Sequence, residues 1–206
     1  MIDEPTTNAE SPTLQLADGY VIHCGPENEL LRHVVCRWLG ALDDVNQFDQ
    51  PWLPLVLYGE SLCGKSIVAH GLANAWRERH PKQTTILLTA ADLARSLKKT
   101  ELADDIDRFT RQLRQADLVV LDDVQHLTER SNAQVWAAEL LDHRKKNNKP
   151  TIVTCNANVA SSKLSHRLRS RLSSGLSISI SLPYACLLYT SPSPRDQRGA
   201  RMPSSA

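Results

Sequence analysis

The chain has no apolar run long enough to cross a membrane. It opens Met1-Ile2-Asp3-Glu4-Pro5, acidic and polar where a secretory signal would be basic and then apolar. Its five cysteines, Cys24, Cys36, Cys63, Cys155 and Cys186, are odd in number, scattered, and nowhere spaced C-x-x-C. Neither a disulfide framework nor a zinc cluster is therefore suggested, and a reduced, cytoplasmic compartment is expected. There is no internal repeat, and the formal net charge over 206 residues is only +1. That excludes a strongly basic field over the whole chain, so any contact with nucleic acid must come from a local patch. What remains is ordinary: 41% hydrophobic and 23% charged residues, in a length that suits one α/β domain with a substantial core.

The richest local signal is an apolar run, Leu55-Val56-Leu57-Tyr58, that breaks into Gly59-Glu60-Ser61-Leu62-Cys63-Gly64-Lys65-Ser66 and continues as a helical pattern marked by Val68, Leu72, Ala75 and Trp76. This is the phosphate-loop pattern G-x-x-x-x-G-K-[ST] between a buried strand and a helix. Consecutive backbone N–H groups can wrap phosphates there, the helix turns its positive end toward them, Lys65 can reach the terminal phosphates, and Ser66 can hold Mg²⁺. A Gly-bounded turn without chemistry is the bland alternative, and the strand-loop-helix context argues against it. Leu62 stands where such loops usually carry another glycine; if that position needs positive φ, a leucine there is strained.

A second strand, Asp117-Leu118-Val119-Val120-Leu121-Asp122-Asp123, ends in two carboxylates and reads as a Walker B strand. Asp122 would bind Mg²⁺ through water, and Asp123 would orient or deprotonate the attacking water. Alone, such a pair is more often a turn or a helix cap; the phosphate loop upstream changes the balance.

Five short apolar runs, at 55–58, 85–89, 118–122, 151–154 and 176–180, alternate with helical patterns at 27–42, 65–79, 91–97, 102–115, 132–146 and near 164–172. That alternation predicts an α/β fold with a mainly parallel five-stranded sheet covered on both faces. Residues 1–18, rich in Thr, Pro, Asp and Glu, are expected to be flexible, and 19–185 to be the folded core. From Cys186 the text changes: Cys-Leu-Leu-Tyr-Thr-Ser-Pro-Ser-Pro-Arg-Asp and the closing Arg-Met-Pro-Ser-Ser-Ala resemble translated sequencing-library adapter. Residues 186–206 are therefore expected to be non-native, with the natural chain interrupted near Pro183 or Ala185. An ordinary Ser/Pro tail is the alternative. Without the tail's three arginines and one aspartate the net charge falls to −1.

Taken in order, these motifs resemble those of AAA+ ATPases, a branch of the three-layer P-loop NTPases, and more narrowly the bacterial replication initiator family, DnaA. The resemblance covers residues 20–183. Val21-Ile22-His23-Cys24-Gly25-Pro26-Glu27-Asn28 resembles the segment that packs against adenine, which implies nucleotide contacts for Gly25, Pro26 and Asn28 beside those of Gly59, Glu60, Ser61, Leu62, Cys63, Gly64, Lys65 and Ser66. Val153-Thr154-Cys155-Asn156 resembles sensor 1, where many initiators carry Asp in place of Asn; the resemblance puts this strand between the P-loop and Walker B strands, with Asn156 facing the γ-phosphate. Leu164-Ser165-His166-Arg167-Leu168-Arg169-Ser170-Arg171-Leu172-Ser173-Ser174-Gly175-Leu176 resembles box VII, with Arg171 in the place of the finger that completes a neighbour's site, implying a homo-oligomer. A solvated basic helix is the mundane reading, and for Arg169 it is preferred.

Two helical patterns stand between the second strand and Walker B where most P-loop folds have one. In the initiators that extra element contacts single-stranded DNA. Leu102, Ile106, Phe109 and Leu113 form its apolar stripe, with Lys98, Lys99, Arg108, Arg111 and Arg114 off it and Asp104, Asp105 and Asp107 in partial opposition. The expected function is an ATP- and Mg²⁺-dependent initiator domain that assembles on DNA and resets by slow hydrolysis, with the lid and helix-turn-helix missing. The alternative is a related adaptor or helicase-loader ATPase without its own DNA-binding domain. A small-molecule P-loop kinase would leave box VII unexplained.

Overall fold

The five apolar runs form one sheet. The computed structural model describes residues 13–15, 21–38, 53–102 and 106–181; the expected tail at 186–206 lies outside them. Strands β3 (Leu55–Tyr58), β4 (Thr85–Thr89), β5 (Leu118–Asp122), β6 (Thr151–Cys155) and β7 (Leu176–Ser179) lie in the order β4-β5-β6-β3-β7, every neighbouring pair parallel. Strand β6, expected to carry sensor 1, thus separates β3 from β5, the strands expected to carry the P-loop and Walker B motifs.

Helices α1 (Glu29–Trp38), α2 (Lys65–Arg79), α3 (Ala90–Leu102), α4 (Ile106–Gln115), α5 (Ser131–Lys146) and α6 (His166–Leu172) cover the sheet. The strand pleat sorts side chains by alternation. Leu55, Leu57, Leu118 and Val120 pack with Leu31 and Val35 of α1 and Val68 and Leu72 of α2. Val56, Val119, Leu121 and Val153 pack on the other face with Leu93, Leu113, Leu141 and Leu168 of the remaining helices. Both faces of the sheet are thereby buried, as its near-continuous apolar strands require.

Several boundaries differ from the sequence reading. The first helix is preceded by a 3-10 turn, Pro26–Asn28, because proline fixes the entry and the Asn28 N–H bonds back to the Gly25 carbonyl (2.9 Å). The pattern expected at 91–97 runs on to Leu102, its start fixed by Thr89, whose Oγ1 accepts from the Asp92 N–H (3.0 Å) and donates to the Asp92 carboxylate (2.8 Å). Thr13–Gln15, within the segment expected to be flexible, forms β1 and pairs antiparallel with β2 (Val21–His23). Three residues are too few to show a period, so the pairing was invisible in sequence.

At the end of the sheet opposite the strands' carboxyl termini, Arg144 of α5 is fully buried. Its Nε donates to Thr151 Oγ1 (2.8 Å), and its two terminal nitrogens donate to the carbonyls of Leu113 and Ala116 (2.8 Å each), Asp117 (3.4 Å) and Pro150 (2.6 Å). Burial pulls its pKa down to about 10, which leaves it charged at neutral pH. Beside it, the Thr84 N–H (2.9 Å) and the Lys149 ammonium (3.3 Å) hold the Asp117 carboxyl below the usual range. Lysine cannot reproduce a planar fork of donors. Arg144→Lys should therefore lower stability by about 3 kcal/mol in urea unfolding, whereas a loss under about 1 kcal/mol would show the guanidinium to be dispensable.

Candidate functional site

The chain leaves β6 on one side of β3 and returns as β7 on the other, so a crevice opens beyond the carboxyl end of β3, where open α/β sheets place ligands. Two hollows that share Asn156 lie in that region. One hollow is lined by Ser61, Gly64, Lys65, Ser66, Asp123 and Asn156, among others, and the other by Gly59, Glu60, Cys63, Asn156 and Ser179 to Ser181. Every expected residue of the phosphate loop therefore borders one or the other of these hollows.

The loop's shape follows from its glycines. A Cβ on Gly59 would lie 2.1 Å from the Ile180 carbonyl oxygen and 2.9 Å from Cys63 Sγ, so only glycine lets the loop cross β7 this closely. Gly64 sits at φ 94° as the N-cap of α2 with no side-chain cap, leaving first-turn N–H groups of a 15-residue helix directed at the crevice. Lys65 is buried, and its Nζ donates to the Glu60 carbonyl (2.5 Å) and lies 3.7 Å from Cys63 Sγ. Leu62 adopts φ 68° and is 96% exposed, so the strain anticipated at this position is present and no packing offsets it.

Across the crevice, Ser66 Oγ donates to Asp122 Oδ1 (3.0 Å), and Thr154 Oγ1 donates a short bond to the same oxygen. The Asp123 N–H donates to Thr154 Oγ1 (2.8 Å). Asp123 itself lies in the left-handed region, φ 58° and ψ 54°, and its Oδ1 accepts from Gln125 Nε2 (2.8 Å). Gln125 Oε1 in turn accepts from the Asn156 N–H (3.2 Å), so one side chain joins the Walker B turn to the end of the sensor strand. Thr154 stood in the sequence only as a member of the sensor 1 pattern, and Gln125 and His126, which also line the crevice, only as residues of the Walker B pattern just after the acidic pair; none of the three was given a role there.

The remaining candidates fall elsewhere. Asn28 is buried with its amide committed twice to Ser181, Nδ2 donating to the carbonyl (2.9 Å) and Oδ1 accepting the N–H (3.0 Å). It ties the Gly25-Pro26 segment to the end of β7 on the crevice wall. Arg171 lies outside the crevice of its own chain, its Nε 2.5 Å from Asp142 Oδ1 on α5, while Arg169 donates to the Ala160 carbonyl (3.0 Å). Lys98, Lys99, Arg108 and Arg111 are exposed on α3 and α4. Phe109 and Ile106 turn toward the core, Phe109 stacking on Trp136 with ring centroids 6.0 Å apart. Cys24, Cys36, Cys63 and Cys155 are free thiols; burial pushes Cys24 up to about 11 and raises Cys155, so both stay protonated near neutrality.

The family profile of the bacterial DnaA ATPase domain matches residues 18–179. The chain belongs to this family. The chromosomal replication initiator protein DnaA of Neisseria meningitidis is 27% identical over 135 residues, 65% of this chain and 26% of that protein. The chain thus spans about a quarter of the length of that DnaA. A replication initiator DnaA solved with AMPPCP and single-stranded DNA superposes with a TM-score of 0.67 at 24% identity, over 77% of this chain and 47% of that one. The DnaC helicase loader gives 0.65 at 17% identity, over 81% and 97%. At those identities the structures establish a shared AAA+ fold. Among the described residues no helix is long and apolar enough to cross a membrane.

A left-handed leucine costs about 1–2 kcal/mol, and glycine gives back about 0.4–1 kcal/mol through the unfolded chain. Leu62→Gly in this DnaA-family loop should accordingly gain up to about 1 kcal/mol in denaturant unfolding, while a clear loss would mean the side chain has contacts its exposure denies.

Proposed function

We propose that this domain binds ATP with Mg²⁺ and uses the bound nucleotide to gate assembly in DNA replication initiation, with slow hydrolysis as the reset. The observation that carries the reading is the convergence of Lys65, Ser66, Asp122, Asp123 and Asn156 on one crevice at the carboxyl ends of β3, β5 and β6. It is supported by membership of the DnaA ATPase-domain family and by the nucleotide analogue in the superposed initiator.

Lys65 would exchange the Glu60 carbonyl for phosphate oxygens, which form stronger charge-assisted bonds with an ammonium. Backbone N–H groups of Gly59 to Gly64 and the start of α2 would take the remaining phosphate charge. Ser66 and Asp122 are hard oxygen donors, and among the described residues no group of three acidic, His or Cys side chains forms an all-protein metal cage. That donor set fits Mg²⁺, which binds through one or two protein oxygens and completes its shell with phosphates and water. Ser66 and Asp122 would hold the ion, which would supply positive charge against the charge that develops in phosphoryl transfer. Asp123, released from Gln125, would orient the attacking water, and Asn156 would meet the γ-phosphate. Arg171 of one copy would reach the nucleotide of the next, and Lys98, Lys99, Arg108 and Arg111 would hold single-stranded DNA by its phosphates in the cytoplasm.

The alternative, an adaptor or helicase loader working through protein contacts, keeps the same nucleotide site. In its favour, the cations of α3 and α4 are diluted by acids, with Arg95 already paired to Asp92 (2.8 Å) and Asp107 exposed among them. Binding to a single-stranded oligonucleotide with a steep salt dependence supports the initiator; none supports the adaptor.

Lys65→Ala should abolish ATP binding in equilibrium titration, and equal affinity in mutant and wild type would remove the assignment. Arg171→Ala should leave ATP binding intact and lower ATP-dependent assembly in sedimentation. Unchanged assembly would exclude the finger.

A further inference from the structure

We propose that Thr154 is a positioning residue for Mg²⁺-dependent nucleotide binding: its hydroxyl fixes the carboxylate of Asp122, and through it the proton of Ser66, in the orientation that offers serine lone pairs to the ion. The proposal rests on reading the crevice as an Mg²⁺-nucleotide site, and goes beyond it by assigning a residue that touches neither ion nor phosphate.

The inference comes from the direction of the hydrogen bonds. A threonine hydroxyl has one proton to give and lone pairs to receive. At Thr154 a lone pair is occupied by the Asp123 N–H at 2.8 Å, and that donor cannot turn because the backbone is fixed at φ 58°, ψ 54°. The hydroxyl proton goes to Asp122 Oδ1. The same oxygen receives the Ser66 proton at 3.0 Å. The chain runs one way, from the Asp123 amide through Thr154 to Asp122, with Ser66 closing on the same atom from α2.

Two consequences follow. With its proton directed at Asp122, Ser66 keeps its lone pairs on the side away from the carboxylate, so coordination requires no loss of that bond. With two hydroxyl donors on Oδ1, the carboxylate is held in a single rotamer. Thr154 is fully buried while Asp122 retains slight exposure, so no water replaces the threonine's donor when it is removed. Thr154 also pairs with Leu57 in the β3–β6 register, which makes its place a property of the sheet rather than of a loop. Groups that orient a metal's ligands commonly change metal affinity by about 10–100-fold when deleted.

The test titrates a fluorescent ATP analogue into the full chain, with Mg²⁺ and with EDTA, for wild type, Thr154→Val and Thr154→Ser, and records the thermal melt of each. Wild type should bind more tightly with Mg²⁺. Thr154→Val should lose most of that gain, about 10–100-fold, with its EDTA affinity unchanged, and Thr154→Ser should keep the wild-type gain. A valine variant that retains the Mg²⁺ gain overturns the proposal, as does one that weakens equally in both conditions, which would mark a merely structural role. Should the valine variant not fold, the serine variant decides alone: loss of the Mg²⁺ response with the hydroxyl present overturns the assignment. Failure of wild type to bind the analogue under either condition is a separate result, and it removes the nucleotide reading and this proposal together.

Discussion

A guanidinium buried without a carboxylate holds the amino ends of the two strands on which the site depends. Arg144 bonds to four carbonyls and one hydroxyl, contributed by the end of α4 and the approaches to β5 and β6. Each strand is only five residues long, so a residue at its far end lies roughly 13–17 Å away. Fixing Asp117 and Thr151 fixes the pairing of Val119 with Thr151 and of Leu121 with Val153, and hence the level at which Asp122 and Thr154 emerge. A slip of one residue would turn Thr154 to the opposite face and separate it from Asp122. The buried cation thus sets the geometry of a crevice it never touches.

At the other end of the strands stand two of the three non-glycine residues with positive φ among the described residues, the third being Asn148 in the turn before β6. Leu62 and Asp123 have positive φ, and both border the crevice. Their support differs. Asp123 is over-determined, its amide held by Thr154 and its carboxylate by Gln125. Leu62 has no such anchor and projects into solvent. Strain that persists because neighbours enforce it fits a group positioned for a reaction. Strain with no enforcing contact is a local cost of the substitution at that loop position, which is why the two residues call for different explanations.

The strands and the phosphate loop were legible because their signals are local: apolar runs of four or five residues bounded by polar ones, and glycines at fixed spacing. Strand order was not local, and came only with the family resemblance. The roles of Thr154 and Gln125 escaped notice because the contacts that give them meaning join residues 31 or 32 positions apart, and neither residue type is unusual in its segment. Arg144 was hidden by its company. In Asp-His-Arg-Lys-Lys-Asn-Asn-Lys it reads as one more cation at a helix end, and only packing reveals that it faces inward while Lys145 and Lys146 stay exposed. The β1–β2 ribbon failed for a simpler reason, since three residues cannot show a period.

The proposed finger raises a question of energy rather than of sequence. Arg171 is paired with Asp142 in its own chain, which at first sight removes it from service in a neighbour's site. The side chains of both partners are about two-fifths exposed, 39% and 42%, and at that exposure solvent screening leaves such a pair worth little, about 0–1 kcal/mol. A nucleotide γ-phosphate in a drier interface offers an arginine more charge and a better match for its fork of donors. The exchange would therefore run toward the phosphate once two copies meet. Until then the weak pair holds the guanidinium against α5 and limits the conformations it must give up on assembly. A buried pair in the same place would have the opposite effect, because breaking it would strand a charge away from water. The shallow setting of Arg171 is thus what makes the in-chain contact compatible with a role in trans.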